Sequence, residues 1–273
     1  MTASLRVASA QLPPWPDTDD RLVVTSNAVI VLDGATAREP TPVSTHQYVA
    51  SLGDALRDLL DANPLRDLRR ALSCAIAQTA AELNLVAGHS PSSTVSIIRA
   101  ARGTVDVLVL GDSPVVIGTT HGVREITDAR LAALDLPQRA EYRKRLEAGS
   151  GYDDVHRQLL AAIQRDQTAV RNTLDGYWIA EADPVAAEQA VVARREIADV
   201  RWCLLCTDGA EHPIKHLGLD DWAGLATSSS SQLEAVLQTC WRWEADVDPN
   251  AAALPRAKRH DDKSIAALVF QLS

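Results

Sequence analysis

The sequence predicts an α+β fold in which two antiparallel β-sheets form a central sandwich flanked by helices. Apolar runs of strand length recur near both ends and in the middle of the 273-residue chain. Turn residues separate several of these runs, and a pair of amphipathic helical segments lies between the first and second strand blocks. Strands and helices grouped in this way are typical of α+β packing and not of alternating βαβ units.

The first third of the chain predicts a strand, a hairpin and two helices. Residues 5–10 read as a strand, and the hairpin consists of "RLVV", a turn at "TSN" and "AVIVL". Between them, "QLPPWPDTDD" has three prolines in ten residues, which excludes regular structure. The segments "THQYVASLGDALRDLLDA" and "LRDLRRALSCAIAQTAAEL" each place leucines on one helical face, and the short link containing Pro64 predicts an antiparallel pair.

The rest of the chain predicts a single domain, 1–273, with a variable helical segment. The runs "STVSIIRA", "TVDVLVLGD", "SPVVIGTT" and "REIT" are separated by turn signals and predict an antiparallel meander. Residues 129–195 are charged and helical in pattern, with "DVHRQLLAAIQRDQTAV" the clearest helix. The strand "RWCLLC", a helix near 231–243 and the strand "SIAALVFQL" follow.

Composition excludes several classes of partner. The net charge of −9 argues against nucleic acid or an anionic membrane, and it suits a cleft that concentrates divalent cations. No apolar run approaches the length of a membrane span, and the N-terminus has no signal-peptide h-region. We therefore expect a soluble, cytoplasmic protein.

Cys203 and Cys206 form a CxxC pair that has three interpretations. The pair could be half of a zinc site, a redox pair, or two buried thiols that pack as small apolar residues. Because "WCLLC" reads as a buried strand, core packing is favoured.

Acidic residues recur at the ends of apolar strands. They are Asp20, Asp33, Asp112, Asp208 and the pair Asp261–Asp262. A single Asp beside Gly is most often a turn. Repetition of this placement along one chain instead indicates carboxylates delivered to a shared site, where oxygen ligands suit Mg²⁺ or Mn²⁺.

Other catalytic patterns are missing from the sequence. It contains no GxSxG, HExxH or GxxxxGK[ST] motif. Of the seven histidines, only His212 and His216 have helical ligand spacing, and Pro213 between them argues against such a pair.

The succession "DDR…AVIVLDGATA…SSTVSIIRA…VLVLGDSPVVI…ITD…WCLLCTDGAEHPI…DDKSIAALVF" resembles the metal-dependent type 2C protein phosphatases, in their bacterial form. The resemblance spans about residues 19–270. It implies a β-sandwich that holds two Mn²⁺ or Mg²⁺ ions at one end, with a third ion in some members. It also makes 129–195 the family's variable flap.

The resemblance assigns the two ions to specific ligands. Asp33 would bridge both ions, and the Gly34 carbonyl would bind one of them. Asp208 would bind the other ion. Asp261 or Asp262 would complete that site, and the spacing to the following serine favours Asp261.

Three further positions match the family's pattern. Asp20 corresponds to an acidic residue that holds metal-bound water, and Asp112 to a residue that helps to bind the weaker third ion. Thr94 corresponds to a small hydroxyl position of structural use. A hydroxide shared by the ions would attack phosphorus in line, with Asp33 and Asp208 as the catalytic carboxylates and no side-chain nucleophile.

Two departures from the family's pattern concern activity. "DGATA" stands where the family has "DGMGG" or "DGHGG", and the phosphate-binding arginine before the first acidic motif is missing. Arg6 or Arg21 could replace that arginine. In the flap, Arg143, Lys144 or Arg145 could contact a phosphopeptide, although a solvated helical face is the favoured interpretation of these charges.

The function implied is hydrolysis of phosphoserine and phosphothreonine in a phosphorylated protein partner. The main alternative is a non-catalytic binding module with the phosphatase fold. A third is a hydrolase of small phosphoesters. The sequence does not indicate an oligomeric state.

Overall fold

The computed structural model describes residues 3–35 and 40–272. Within them the strands are β1 Ala3–Leu12, β2 Asp20–Val24, β3 Ala28–Ala35, β4 Ser92–Ala101, β5 Thr104–Leu110, β6 Val115–Thr119, β7 Gly122–Ile126, β8 Val191–Glu196, β9 Val200–Cys206 and β10 Lys263–Leu272. The helices are α1 Thr45–Ala62, α2 Leu68–Glu82, α3 Arg130–Ala133, α4 Pro137–Glu147, α5 Asp154–Ala169, α6 Asp208–His216, α7 Trp222–Thr227 and α8 Ser230–Asp246, with 3-10 helices at Pro184–Gln189 and Ile197–Asp199.

Two antiparallel sheets form the sandwich that the sequence predicts. The first sheet has the strand order β1-β10-β9-β6-β7, and the second has β2-β3-β4-β5-β8. Between them lies a core of aliphatic side chains that includes Val29, Val31, Leu205 and Leu268. The predicted α+β class is confirmed.

Helices cover the outer face of each sheet. Successive residues of β3 point to opposite faces, so Ile30 and Leu32 contact the layer of α1 and α2 while their neighbours face the other sheet. The helices α6, α7 and α8 cover the first sheet through residues such as Leu233 and Leu237. Because both faces of β3 are buried, its sequence is a continuous apolar run and not an alternating one.

The predicted meander is divided between the two sheets. β4 and β5 form a hairpin in the second sheet, whereas β6 pairs with β7 and β9 in the first. The chain crosses the sandwich after Gly111, whose φ of +87° favours glycine. A side chain here would also collide with Thr94, since a Cβ atom would lie 2.8 Å from its Cγ2.

The segment 129–195 is only partly helical. After α3, α4 and α5 the chain forms a 3-10 helix and then β8, which pairs with β5 at the edge of the second sheet. The helical expectation for Val191–Glu196 was therefore wrong. The helices α4 and α5 share a small separate core that includes Tyr142, Leu146 and Ile163.

The four cysteines are free thiols, and Cys203 and Cys206 are fully buried in β9. The side chain of Cys203 packs between the sheets, and that of Cys206 packs against the α6–α8 layer. This geometry agrees with core packing and does not fit a zinc or redox pair. None of the helices that the structure describes has the length and hydropathy needed to cross a membrane.

Candidate metal centre

Strand register brings the first acidic residues together at one end of the sandwich. Asp20 in β2 lies opposite Asp33 in β3, and Asp33 lies opposite Thr94 in β4. Directly opposed residues in antiparallel strands have Cβ atoms about 5 Å apart. The hairpin predicted from the sequence therefore places two carboxyl groups side by side.

The first sheet supplies two more carboxylates at the same end. Asp208 is the first residue of α6, directly after β9, and Asp261 lies just before β10, which pairs with β9. Gly209 lets the start of α6 approach the loop before β10. A Cβ atom there would lie 2.1 Å from the Asp262 carbonyl oxygen, so another residue would push these segments apart.

The carboxyl groups at this end act on one another electrostatically. Burial, and then the charges of Asp20 and Asp208, raise the pKa of Asp33 well above its usual range. Burial and the charge of Asp261 raise the pKa of Asp208. Burial and Asp208 raise the pKa of Asp112 to about 7. Such mutual effects require these groups to lie close together.

These carboxylates line one cavity of about 610 Å³. Asp33, Asp112, Asp208 and Asp261 form its acidic side, which we call the floor. Within residues 3–35 and 40–272, no three His, Cys, Asp or Glu side chains are grouped tightly enough to hold a metal ion by themselves. A metal here would therefore need water and backbone oxygen in addition to the carboxylates, as Mg²⁺ commonly does.

The residues present fit hard divalent ions. The donors at the floor are oxygen atoms, which suit Mg²⁺ and Mn²⁺. Gly34 follows Asp33 directly and lines the cavity. A Cβ atom on Gly34 would lie 2.5 Å from both the Asp19 carbonyl oxygen and the Thr45 side chain, so glycine is required for this close approach.

Asp20 is the most deeply buried of the predicted site residues, with 1 % of its surface exposed. Its Oδ2 accepts hydrogen bonds from the Ser264 hydroxyl at 2.7 Å and the Thr207 hydroxyl at 3.0 Å. Burial raises its pKa to about 8. These bonds join β2 to the ends of β9 and β10, so Asp20 ties the two sheets together beside the floor.

Sequence reasoning missed Asp19, the neighbour of Asp20. Its backbone N–H donates to Asp262 Oδ2 at 2.7 Å, and burial and the charge of Asp262 raise its pKa. Asp262 is thus engaged with Asp19, and of the pair 261–262 only Asp261 lines the cavity. The "DD" doublet at 19–20 was the available signal, because an acidic residue beside a predicted site residue lies close to the same site.

The loop "GDS" is held by hydroxyl groups on β4. Thr94 Oγ1 and Ser113 Oγ are 2.6 Å apart, and Ser96 Oγ donates to the Ser113 carbonyl at 2.5 Å. This pairing agrees with a structural use of Thr94, and it positions Asp112 at the floor. Of the altered motif "DGATA", Ala35 lines the cavity, whereas Thr36 and Ala37 lie outside the described residues.

The two arginines proposed to bind phosphate lie elsewhere. Arg6 donates to the Thr227 carbonyl at 3.2 Å on the first sheet. Arg21 pairs with Asp54 at 3.2 Å, and its guanidinium lies 4.2 Å from the centre of the Trp15 ring. Neither side chain lines the cavity. A substrate role for either would require it to leave these contacts.

Two other arginines, which sequence reasoning missed, line the cavity. They are Arg165 on α5 and Arg171 in the loop that follows. The flap residues singled out from the sequence, Arg143, Lys144 and Arg145, do not line it, and Arg145 is paired with Asp153 at 2.7 Å.

Solved structures similar to this one cover nearly the whole chain. The catalytic domain of the serine/threonine phosphatase PstP, in complex with two manganese ions, has 15% identity and a TM-score of 0.55 over 98% of this chain and 99% of that one. Stp1 of Staphylococcus aureus has 12% identity and a TM-score of 0.59, covering 100% and 96%. The phosphatase 2C of Toxoplasma gondii has 14% identity and a TM-score of 0.53, covering 98% and 94%.

The chain has the type 2C phosphatase fold. No protein-family model and no curated protein matches it by sequence. At this level of identity the likeness establishes the phosphatase fold, and the chemistry has to be argued from the site.

Proposed function

We propose that this protein is a metal-dependent phosphatase that hydrolyses phosphoserine and phosphothreonine in proteins. One observation carries the proposal: Asp33, Asp208 and Asp261, which are far apart in sequence, line one cavity in a chain with the phosphatase fold. PstP, of the same fold, was solved with two manganese ions. The ligand assignments made from the sequence remain proposals.

Each residue at the floor has a definable task. Asp33, Asp208, Asp261 and the Gly34 carbonyl would hold the ions, and Asp112 would hold a further one. Divalent cations, when bound, supply water activation and charge neutralisation for phosphoryl transfer. Asp20 contributes by fixing the ends of β9 and β10 relative to β2 through Thr207 and Ser264.

The rival is a non-catalytic binding module on the same fold. Two observations favour it. Among the described residues, no three His, Cys, Asp or Glu side chains lie close enough together to hold a metal ion by themselves. In addition, neither Arg6 nor Arg21 lines the cavity. A binding module would keep the cavity and bind phosphorylated partners without turnover.

We also propose a cytoplasmic location, to which the four free cysteines are suited.

The test is hydrolysis of p-nitrophenyl phosphate and of a phosphothreonine peptide with Mn²⁺, and again with EDTA. We expect Mn²⁺-dependent turnover in the wild type. Asp33→Asn and Asp208→Asn should each lower kcat by about 10³-fold, because loss of several kcal/mol of charge stabilisation corresponds to that factor. Asp199→Asn is the matched control, since Asp199 is exposed and outside the cavity.

Metal binding is measured separately from turnover by thermal unfolding. Mn²⁺ at 100 times its Kd should stabilise the wild type by about 2.7 kcal/mol, and the two floor variants should lose this effect. Stabilisation without turnover in any metal would support the binding module. Turnover that persists in both floor variants would contradict the proposed site.

A further inference from the structure

The cavity has a cationic wall in addition to its acidic floor. This wall consists of the second half of α5 and the loop after it, and it includes Arg165, Gln167 and Arg171. Among the described residues that line the cavity, Arg165 and Arg171 are the two that carry a guanidinium or ammonium group. Cations bound at the floor would leave these guanidinium groups as the protein's own ligands for an anionic substrate.

Arg171 is held near the floor. Its Nη2 donates to the Gly88 carbonyl at 3.2 Å, and its backbone forms a parallel bridge with Tyr177, which also lines the cavity. Burial raises the pKa of Tyr177, Arg171 opposes this rise, and Asp112 adds to it. Arg171 and Asp112 therefore both lie within electrostatic range of Tyr177.

Arg165 lies on α5 and is exposed. It forms no hydrogen bond or salt bridge with the described part of the chain, whereas Arg157, two turns earlier on α5, is paired with Asp154. Arg165 precedes Arg171 by six residues, and α5 ends between them at Ala169.

We propose that Arg171 binds the substrate phosphate while Arg165 binds an acidic side chain near the phosphorylated residue in the same peptide. The inference rests on the proposed function and names its substrate class: phosphoserine or phosphothreonine segments with a nearby Asp or Glu. Two guanidinium groups that line one cavity supply the recognition, since Arg is suited to both carboxylate and phosphate.

The decisive experiment reverses the charge at residue 165 of the protein and, separately, the charge of a side chain in the peptide. Phosphothreonine peptides carry Asp, Ala or Lys at each position from one to four residues on either side, and phosphate release gives KM and kcat. For the wild type we expect Asp at one or more of these positions to lower KM about fivefold relative to Lys, as a partly exposed ion pair allows. Arg165→Glu should reverse that order, and Arg171→Ala should raise KM about tenfold or more for all of the peptides.

Arg157→Glu is the matched control, because it places the same charge change on α5 outside the cavity. It should keep the wild-type order of peptides. The same order in Arg165→Glu as in the wild type would overturn the inference, and so would reversal in Arg157→Glu. A wild type that shows no preference among peptides, or that turns over only small phosphoesters, would also overturn it.

Binding is measured independently by fluorescence anisotropy of labelled peptides with Asp208→Asn, which is not expected to turn over. If the wild type hydrolyses no phosphoester and the peptides still bind in the predicted order, the proposed activity fails and the inference stands. If hydrolysis occurs but Arg165→Glu leaves peptide affinities unchanged, the inference fails and the proposed activity stands.

Discussion

Two aspartates in the second sheet, Asp106 and Asp33, lie in opposite electrostatic surroundings. Asp106 in β5 lies opposite Arg99 in β4 and Arg194 in β8, and both guanidinium groups reach its carboxylate at 2.5 Å. Burial alone would raise the pKa of Asp106, but the bonds from Arg194 and Arg99 lower it. Asp33 has acidic neighbours instead, and its pKa is raised.

This difference indicates that Asp106 stabilises the fold, whereas Asp33 is placed to bind a ligand. The charge of Asp106 is paired with two arginines of the same sheet, so this carboxylate stabilises the folded protein without any bound ligand. Asp33 has no salt bridge within the described residues, and its burial beside other carboxyl groups opposes folding. A bound cation would remove that cost, which is the pattern expected where a site is built for a metal.

The largest expected effect comes from removing each charge in metal-free protein. Asp106→Ala leaves the buried Arg99 without its partner and should lower the free energy of unfolding by about 3–5 kcal/mol. Asp33→Asn removes a repelled charge and should raise that free energy. Urea denaturation in EDTA at neutral pH measures both.

Asp199→Asn serves as the control for these substitutions, since its side chain is exposed on a short 3-10 helix. It should shift the free energy of unfolding by no more than about 0.5 kcal/mol. If Asp33→Asn destabilised the metal-free protein as much as Asp106→Ala does, the contrast between the two surroundings would be incorrect.

The floor could be predicted from the sequence because its signals are local. An apolar run followed by Asp and Gly marks Asp33 and Asp208, and antiparallel register then brings Asp33 and Asp20 together. Resemblance to a family supplied the order of these motifs. The division of the meander was missed because Gly111 reads as an ordinary turn, and its crossing between sheets depends on packing against Thr94.

The wall could not be predicted in this way. Arg165 and Arg171 look like ordinary charges on and after a helix, and only tertiary packing brings them to the cavity. That packing uses Ile163 on α5 together with Ala251 from a distant loop.

β8 was missed because "VVARRE" carries charges typical of an exposed edge strand and shows no clear alternation.

A smaller effect is expected on the acid side of the stability profile. The pKa of Asp106 is lower in the folded protein than the unfolded value of 3.8, so the unfolded chain binds more protons in acid. Its contribution is fully present above the unfolded pKa and is lost as pH falls through the folded one. Asp106→Asn should therefore reduce the loss of stability below about pH 4, by up to about 1.4 kcal/mol per pH unit.

Chemical denaturation from pH 2.5 to 5 in EDTA measures that slope. Asp248, whose pKa is also lowered, remains in the variant, so some acid dependence should persist. If the slope is the same in Asp106→Asn as in the wild type, then Arg99 and Arg194 do not lower the pKa of Asp106 in the folded protein below its value in the unfolded chain.

The smallest effect concerns an ion pair between a lysine and a floor carboxylate, the only such pair among the described residues. Lys258 Nζ lies 2.8 Å from Asp261 Oδ1, and both side chains are nearly half exposed. Burial would lower the pKa of Lys258, but the charge and hydrogen bond of Asp261, together with the charges of Asp262 and Asp33, outweigh burial and raise the pKa. This ammonium group therefore competes with a metal ion for Asp261.

Lys258→Met should raise the affinity for Mn²⁺ by about 1.4- to fivefold, because an ion pair this exposed is worth about 0.2–1 kcal/mol. Titration calorimetry in buffer without phosphate measures the affinity directly. Lys144→Met makes the same change in net charge on α4, outside the cavity, and should leave the affinity unchanged. An equal rise in both variants would show that net charge, and not the contact with Asp261, controls metal binding. No rise in Lys258→Met would mean that Asp261 is not a ligand or that the lysine leaves it at no cost.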